Sequence, residues 1–233
     1  MSQQKYKVEV LSLDPGDFDL SFKIIIIGDS GVGKSCLAVK ATKDKFDSIY
    51  SPTIGFEFMT FFIKIEDLYI KLQIWDTCGQ EVYRSLISSF YRNSSLAILV
   101  YAINDENSFI HLDSWINEIK NHGNPDINIF LIGNKVDLEE QRLVSKDMAK
   151  EFLEYNKANL FLETSAKTGF NAQNVFIEAA KLLYEQHLQY KDRISRPYSI
   201  TNLNNENNSK KIMDTEFEEE ENTSKNRRKK GCC

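Results

Sequence analysis

The sequence has no apolar run long enough to cross a membrane. Its longest, "LAILVYAI" from Leu96 to Ile103, is less than half of the ~20 residues a spanning helix requires, and it reads as a buried strand. Cysteine is scarce. Two of the four are the last two residues, which makes a poor disulfide framework, and with three histidines there is no zinc-like spacing, so reduced thiols are expected. The opening stretch "MSQQKYKVEVLSLDPGDFDL" has neither a long apolar core nor a small-residue cleavage signal. It does not read as a secretory leader, and a cytosolic chain is expected. Positive charge is not in excess either: the net charge of -5 and pI near 5.4 give no general attraction to nucleic acid and confine any basic patch to one place. No internal repeat is visible.

What is present is enough for one well-buried domain, since 233 residues leave room for a core and for tails. Six apolar runs bounded by turn residues predict strands: "FKIIIIG", "FEFMTFFIKI", "LYIKLQIWD", "LAILVYAI", "INIFLIG" and "NLFLETS". Helical patterns fall between several of them, in "SCLAVKATKD", "NSFIHLDSWINEIKNH", "SKDMAKEFLEYNK" and "NAQNVFIEAAKLLYEQHL". Such alternation predicts an α/β fold with a doubly wound, six-stranded, mostly parallel sheet and helices on both faces. The short "KIEDLY" between the second and third runs suits a hairpin and predicts one antiparallel edge strand. The globular part is expected to span residues 22–188. Residues 1–21 form an N-terminal extension in this reading. Residues 189–233, with "NLNNENNSKK", "EFEEEEN" and "KNRRKK", carry the composition of a disordered tail.

Chemistry concentrates at the ends of the predicted strands. "GDSGVGKS", Gly28 to Ser35, fits the pattern G-x-x-x-x-G-K-[ST] between a strand and a helix. Gly31 and Gly33 let the backbone curl so that N–H groups point inward, and the helix N-terminus adds partial positive charge. Lys34 can reach outer phosphates, and Ser35 offers a hydroxyl to Mg²⁺. "WDTCGQ" follows the third run, and its Asp76 is placed to hold the same metal through water. Gly79 can present its N–H to a terminal phosphate, while Gln80 can orient an attacking water. A third motif, "NKVD", Asn134 to Asp137, follows the fifth run. Asp137 can accept from the N1–H and exocyclic amine of guanine, which adenine does not donate there, so the wrong base leaves a buried carboxylate unpaired. The Lys135 stem can lie along the base plane, and the "SAK" of Ser165, Ala166 and Lys167 can donate a backbone N–H to the guanine oxygen.

Together these stretches resemble a small GTPase of the Ras superfamily, built on the P-loop NTPase fold. "IGFEF", "KLQIWDTCGQE" and the terminal "GCC" narrow the resemblance to the Rab family of membrane-traffic switches. The likeness covers about residues 22–188 and the last few. It implies GTP and GDP as ligands, Mg²⁺ as cofactor and GTP hydrolysis as the activity. Ser35 and Thr53 would be the direct protein ligands of the ion. Ser30, Val32 and Cys36 join the phosphate loop, and Phe46 and Tyr50 flank the nucleotide, Phe46 against the base. Two switch regions follow, around Thr53 and from Asp76 to Arg92, with Ile54, Gly55, Phe56, Phe58, Trp75 and Phe90 facing effectors. With GTP bound the third phosphate holds Thr53 and Gly79; hydrolysis releases both loops. Unaided turnover is expected on the order of 10⁻⁴ to 10⁻³ per second, since no arginine in cis is evident.

The chain also departs from the family. Cys78 stands where alanine is usual, read either as a slightly larger small residue or as a thiol that crowds Gly79 and is open to oxidation. Phe90 lacks the usual tyrosine hydroxyl, Val82 and Tyr83 replace Arg and Phe, and the segment before Phe22 is longer than in many relatives. Phe58, Trp75 and Phe90 match an effector-binding aromatic triad, with ordinary core packing as the other reading.

The end "NRRKKGCC" sets cationic side chains beside two thiols. The basic residues alone give only about 1 kcal/mol each near an anionic leaflet, so stable anchoring needs lipid. The ending is not a C-a-a-X box. The resemblance implies geranylgeranyl groups on Cys232 and Cys233, and two chains suffice for durable attachment. The implied partners are an exchange factor, a GTPase-activating protein, a GDP-dissociation inhibitor or escort-type chaperone, effectors and the cytoplasmic face of an endomembrane, with a cytosolic pool and no nucleic acid. Two other readings remain: a phosphotransferase using the same glycine-rich loop, and a nucleotide-binding scaffold that no longer turns over.

Overall fold

Four consecutive isoleucines, Ile24 to Ile27, are all fully buried because they alternate between the two faces of a central strand and both faces are covered. In the computed structural model, which describes residues 5–47, 53, 55–79 and 90–195, this strand is β2 (Leu20–Ile27). Around it lie β1 (Val8–Leu11), β3 (Phe56–Ile65), β4 (Leu68–Thr77), β5 (Leu96–Ala102), β6 (Asn128–Asn134) and β7 (Leu160–Glu163). The strand order is β1-β3-β4-β2-β5-β6-β7. The pairs β2 with β4, β2 with β5, β5 with β6 and β6 with β7 are parallel.

The helices are α1 (Lys34–Lys43), α2 (Glu106–Ile110), α3 (Leu112–His122), α4 (Lys146–Asn156) and α5 (Ala172–Ser195), with a 3₁₀ segment at Val136–Gln141. One apolar cluster joins Ile24 and Ile26 with Leu37 of α1 and Val175, Phe176 and Leu183 of α5. On the opposite face Ile25 and Ile27 join Trp115, Ile116 and Ile119 of α3 and Ala149 of α4. Two of the helices start where the sequence supplies a side-chain cap. Asp105 accepts from the Ser108 N–H at the start of α2, and Ser145 from the Met148 N–H at the start of α4. The helical pattern expected over 107–122 is divided at His111, whose φ of -70° and ψ of -9° lie between α2 and α3.

The six expected strands are all present, and the sheet has a seventh. β3 is antiparallel to β4, as the hairpin at "KIEDLY" implies, but it is not the edge: Val8–Leu11 pairs antiparallel with Phe62–Ile65 and takes that place. Part of the expected N-terminal extension therefore belongs to the sheet, and β2 begins two residues earlier than the predicted domain start. The reason is the alternation in "VEVL": Val8 and Val10 pack toward the first cluster while Glu9 is exposed. Tyr6 extends the seam, its ring meeting Tyr184 of α5 edge-on at 5.3 Å, and Lys5 pairs with Glu185 at 3.0 Å. By backbone contacts residues 1–189 form one compact unit, and α5 ends inside a second that begins at Tyr190. No helix among the described residues is long and apolar enough to cross a membrane.

Deleting residues 1–11 uncovers the Phe62–Ile65 edge and the Tyr184 face. We expect a loss of about 2–4 kcal/mol from the lost ladder bonds and apolar burial, seen as a fall in Tm of roughly 5–10 °C by differential scanning calorimetry. An unchanged Tm would mean that β1 adds nothing to stability.

Candidate nucleotide site

Five parallel strands end along one edge of the sheet, and the loops carrying the candidate residues follow them. β2 has β4 on one side and β5 on the other. The loop after β2 therefore lies where successive connections leave in opposite directions, the position at which open α/β sheets bind ligands.

The loop from Gly28 to Gly33 is built by backbone that side chains resist. Gly31 and Gly33 have φ of 79° and 95°, in the left-handed region. A Cβ at Gly33 would also lie 2.5 Å from Asn134 Nδ2. α1 begins at Lys34 with no side-chain cap, so its first N–H groups remain available to an anion. Lys34, 5% exposed, donates from Nζ to the carbonyls of Gly28 at 2.9 Å and Asp29 at 2.8 Å. Burial lowers its pKa to about 8, and the nearby carboxylates of Asp76 and Asp29 oppose that shift.

Asp76, at the end of β4, is fully buried, and among the described residues no donor meets either carboxylate oxygen with hydrogen-bond geometry. Burial raises its pKa from 3.8 to about 6, with Ser35 and Lys34 close enough to favour the ionised form. Ser35 Oγ and Thr53 Oγ1 meet at 2.7 Å. A buried carboxylate without a donor beside two hydroxyls is a hard-oxygen set suited to a small divalent cation, so these residues fit Mg²⁺. Gly79 completes the enclosure: a Cβ there would run into the backbone of Asp29 and Ser30 and come 2.5 Å from Lys34 Nζ.

The other two loops are joined through Asn134. Its Nδ2 donates to the Val32 carbonyl at 2.8 Å, and its Oδ1 accepts from Thr164 Oγ1 at 3.1 Å and the Ala166 N–H at 3.2 Å. One buried amide thus ties the loop after β2 to the loop after β7. Lys135 takes a left-handed φ of 70°, uncommon for a side chain with a Cβ and a mark of a position fixed by its surroundings. Ser165 Oγ donates to Asp137 Oδ1 at 2.5 Å, which orients the carboxylate. Ser165 and Ala166 are buried, Lys167 is exposed, and Phe46 is 40% exposed.

The structure therefore gathers Lys34, Ser35, Thr53, Asp76 and Gly79 in one place and links Asn134, Asp137, Ser165 and Ala166 in another that shares the loop. Gln80, Tyr50 and Ile54 lie outside the described residues, as do Val82, Tyr83, Cys232 and Cys233. Cys78 is 2% exposed, within the cluster that holds Ile25, Tyr91 and Leu99. That burial favours the small-residue reading and removes the accessibility an oxidation switch needs.

The expected effector-facing aromatics touch one another. Trp75 lies 5.2 Å from Phe58 and 5.2 Å from Phe90, and Phe56 bridges at 5.3 Å from Trp75 and 4.7 Å from Phe90. Lys23 Nζ sits 5.2 Å over the Trp75 ring. Phe56 and Phe58 remain about half exposed, so the group is neither pure core nor scattered surface. The motifs did not single out Asp29, held by His111 and Trp115, or Thr164. Asp29 falls at a free position of the glycine-loop pattern, and its partners are more than eighty residues away.

This edge, with a glycine loop, an uncapped helix start and a lone buried carboxylate, defines a P-loop nucleotide-binding α/β protein. The sequence model of the Ras family matches residues 23–185, and the chain belongs to that family. It is a small GTPase; members of the family bind GTP and GDP with Mg²⁺ and work with exchange factors, activating proteins and effectors.

A carboxyl whose pKa is higher folded than unfolded stabilises the fold when protonated. Its contribution is complete below about pH 4 and is lost as pH rises through about 6. In chelator-treated, nucleotide-free protein at pH 7.5, Asp76→Asn is therefore expected to stabilise the fold by up to about 3 kcal/mol, with little difference from wild type near pH 4. Urea unfolding at both pH values measures this. Equal or lower stability of the variant at pH 7.5 contradicts the account of the site.

Proposed function

We propose that this chain is a Rab-type GTPase acting as a membrane-anchored switch in vesicle-mediated transport. The observation that carries the reading is the joined aromatic group Phe56, Phe58, Trp75 and Phe90: a half-exposed apolar surface on the strand ends that adjoin Gly55 and Asp76 is placed to report a change at the third phosphate. Within this reading the GTPase domain includes β1 and β2 as well as the expected residues 22–188. Ser30 to Cys36 cradle the phosphates, Phe46 and Tyr50 flank the nucleotide, and Asn134, Lys135, Asp137 and the Ser165–Lys167 loop hold guanine.

Ser35 and Thr53 would hold Mg²⁺, with Asp76 reaching it through water. Bound there, the ion neutralises charge on the phosphate oxygens. The protein's own part is to position. Lys34 presents its ammonium to the outer phosphates, and Gly79 offers its N–H to the terminal one. Gln80 orients the attacking water, whose proton the substrate phosphate can take. Loss of that phosphate frees Thr53 and Gly79, and effectors that use Ile54, Gly55 and the aromatic group lose their surface.

Guanine selectivity tests the base-binding half. Asp137→Ala is expected to weaken GDP binding by about 10²-fold or more, because two hydrogen bonds to a charged acceptor are lost. ATP binding stays weak, so the GTP over ATP preference falls. Unchanged GDP affinity in the variant sinks this assignment.

The tail reading adds geranylgeranyl groups on Cys232 and Cys233, a chaperone that shields them, and residence on the cytoplasmic face of an endomembrane. Two thiols beside the basic "NRRKK" segment support it. Expression of the full chain in prenylation-competent cells is expected to give a C-terminal peptide heavier by two isoprenoid groups and a membrane-bound pool. In Cys232→Ser/Cys233→Ser both should vanish. An unmodified pair of thiols in the natural chain contradicts the anchor.

A further inference from the structure

The phosphate loop carries a side chain that its motif does not require. Asp29 is the first free position after Gly28, and its carboxylate is held from one direction by two donors. Trp115 Nε1 donates to Oδ1 at 2.8 Å, and His111 Nδ1 pairs with Oδ2 at 2.6 Å. Trp115 is 1% exposed in the core of α3. His111 marks the break between α2 and α3, and its imidazole caps neither helix. The same aspartate offers its backbone carbonyl to Lys34 Nζ at 2.8 Å. Fixing the Asp29 side chain on both oxygens ties this residue of the loop to α3 and limits how far its backbone, carbonyl included, can move.

We propose that His111, together with Trp115, is a positioning residue for nucleotide retention: through Asp29 it aims the carbonyl that holds Lys34 toward the phosphates. The role rests on the nucleotide reading of this site. A charge-assisted hydrogen bond to a partly exposed carboxylate is strong enough to matter for a loop, and α3 is a rigid support because Ile116 and Ile119 anchor it in the core. His111 touches no substrate; it acts at one remove, through Asp29 and Lys34.

The geometry makes a specific demand on the donor. It must project from the first branch of the side chain, where Nδ1 of histidine and Nδ2 of asparagine coincide and where the glutamine amide does not reach. GDP release from the full-length Mg²⁺ complex, followed by chase of a fluorescent GDP analogue, is expected to quicken about three- to tenfold in His111→Ala. His111→Asn should return the rate to within about twofold of wild type, and His111→Gln should not. Trp115→Phe, which keeps most of the ring and removes the donor, should also quicken release. Far-UV circular dichroism and Tm of each complex verify folding. Wild-type release in His111→Ala, or asparagine and glutamine behaving alike, overturns the positioning role while the nucleotide reading stands. A wild-type chain that retains no GDP overturns both.

Discussion

A buried negative charge without a protein donor is the constraint on which this molecule turns. Asp76 sits at the end of β4, inside the structure; among the described residues no donor meets either oxygen with hydrogen-bond geometry, while Ser35 lies close enough to favour the ionised form. Water is the natural place for such a group, and moving it inside is unfavourable unless something of opposite charge meets it. Lys34 is near, yet its ammonium is engaged by two backbone carbonyls. The fold therefore brings a carboxylate, two hydroxyls and a lysine together, and their mutual attraction offsets only part of the cost of burying them. A metal-bound polyphosphate can settle the remaining electrostatics, so ligand binding is expected to stabilise the fold.

The rest of the architecture serves to maintain that arrangement. Two apolar clusters hold the sheet rigid from both faces, so the loops at its edge are fixed at their ends. Asn134 ties the first loop to the base-side loops, and the His111 and Trp115 contacts tie it to α3. The phosphate loop is thus braced from both sides. β1 works at the far side of the sheet, covering the Phe62–Ile65 stretch of the β3 edge that otherwise exposes unpaired backbone groups.

Most of this was legible in the residues. The six apolar runs became strands because buried parallel strands need continuous hydrophobic sequence and nothing else in the chain competes for it. The motif residues Lys34, Ser35, Asp76 and Asn134 were legible because phosphate and cation chemistry restricts both residue type and spacing. β1 was missed because four residues are too short a run to stand out as a strand, and their partner strand begins more than forty residues downstream. The Asp29 tie was invisible for a related reason: a hydrogen bond between residues 29 and 111 leaves no local pattern in a sequence. Cys78 was readable in two ways from sequence, and its burial weighs against oxidation. Phe56 was expected among the effector-facing residues, but its ring contact with Phe90 was not legible; the β3–β4 register sets Phe58 opposite Trp75 and Phe56 opposite Thr77.

The most direct measurement is isothermal calorimetry of nucleotide-free protein with GDP, first with Mg²⁺ present and then with chelator. The account predicts micromolar or tighter binding with the ion and about tenfold or greater weakening without it, since the carboxylate and hydroxyls then face the phosphates uncompensated. Equal affinity under both conditions, or no binding in either, contradicts the claim that Asp76, Ser35 and Thr53 form the cation-dependent centre of this site.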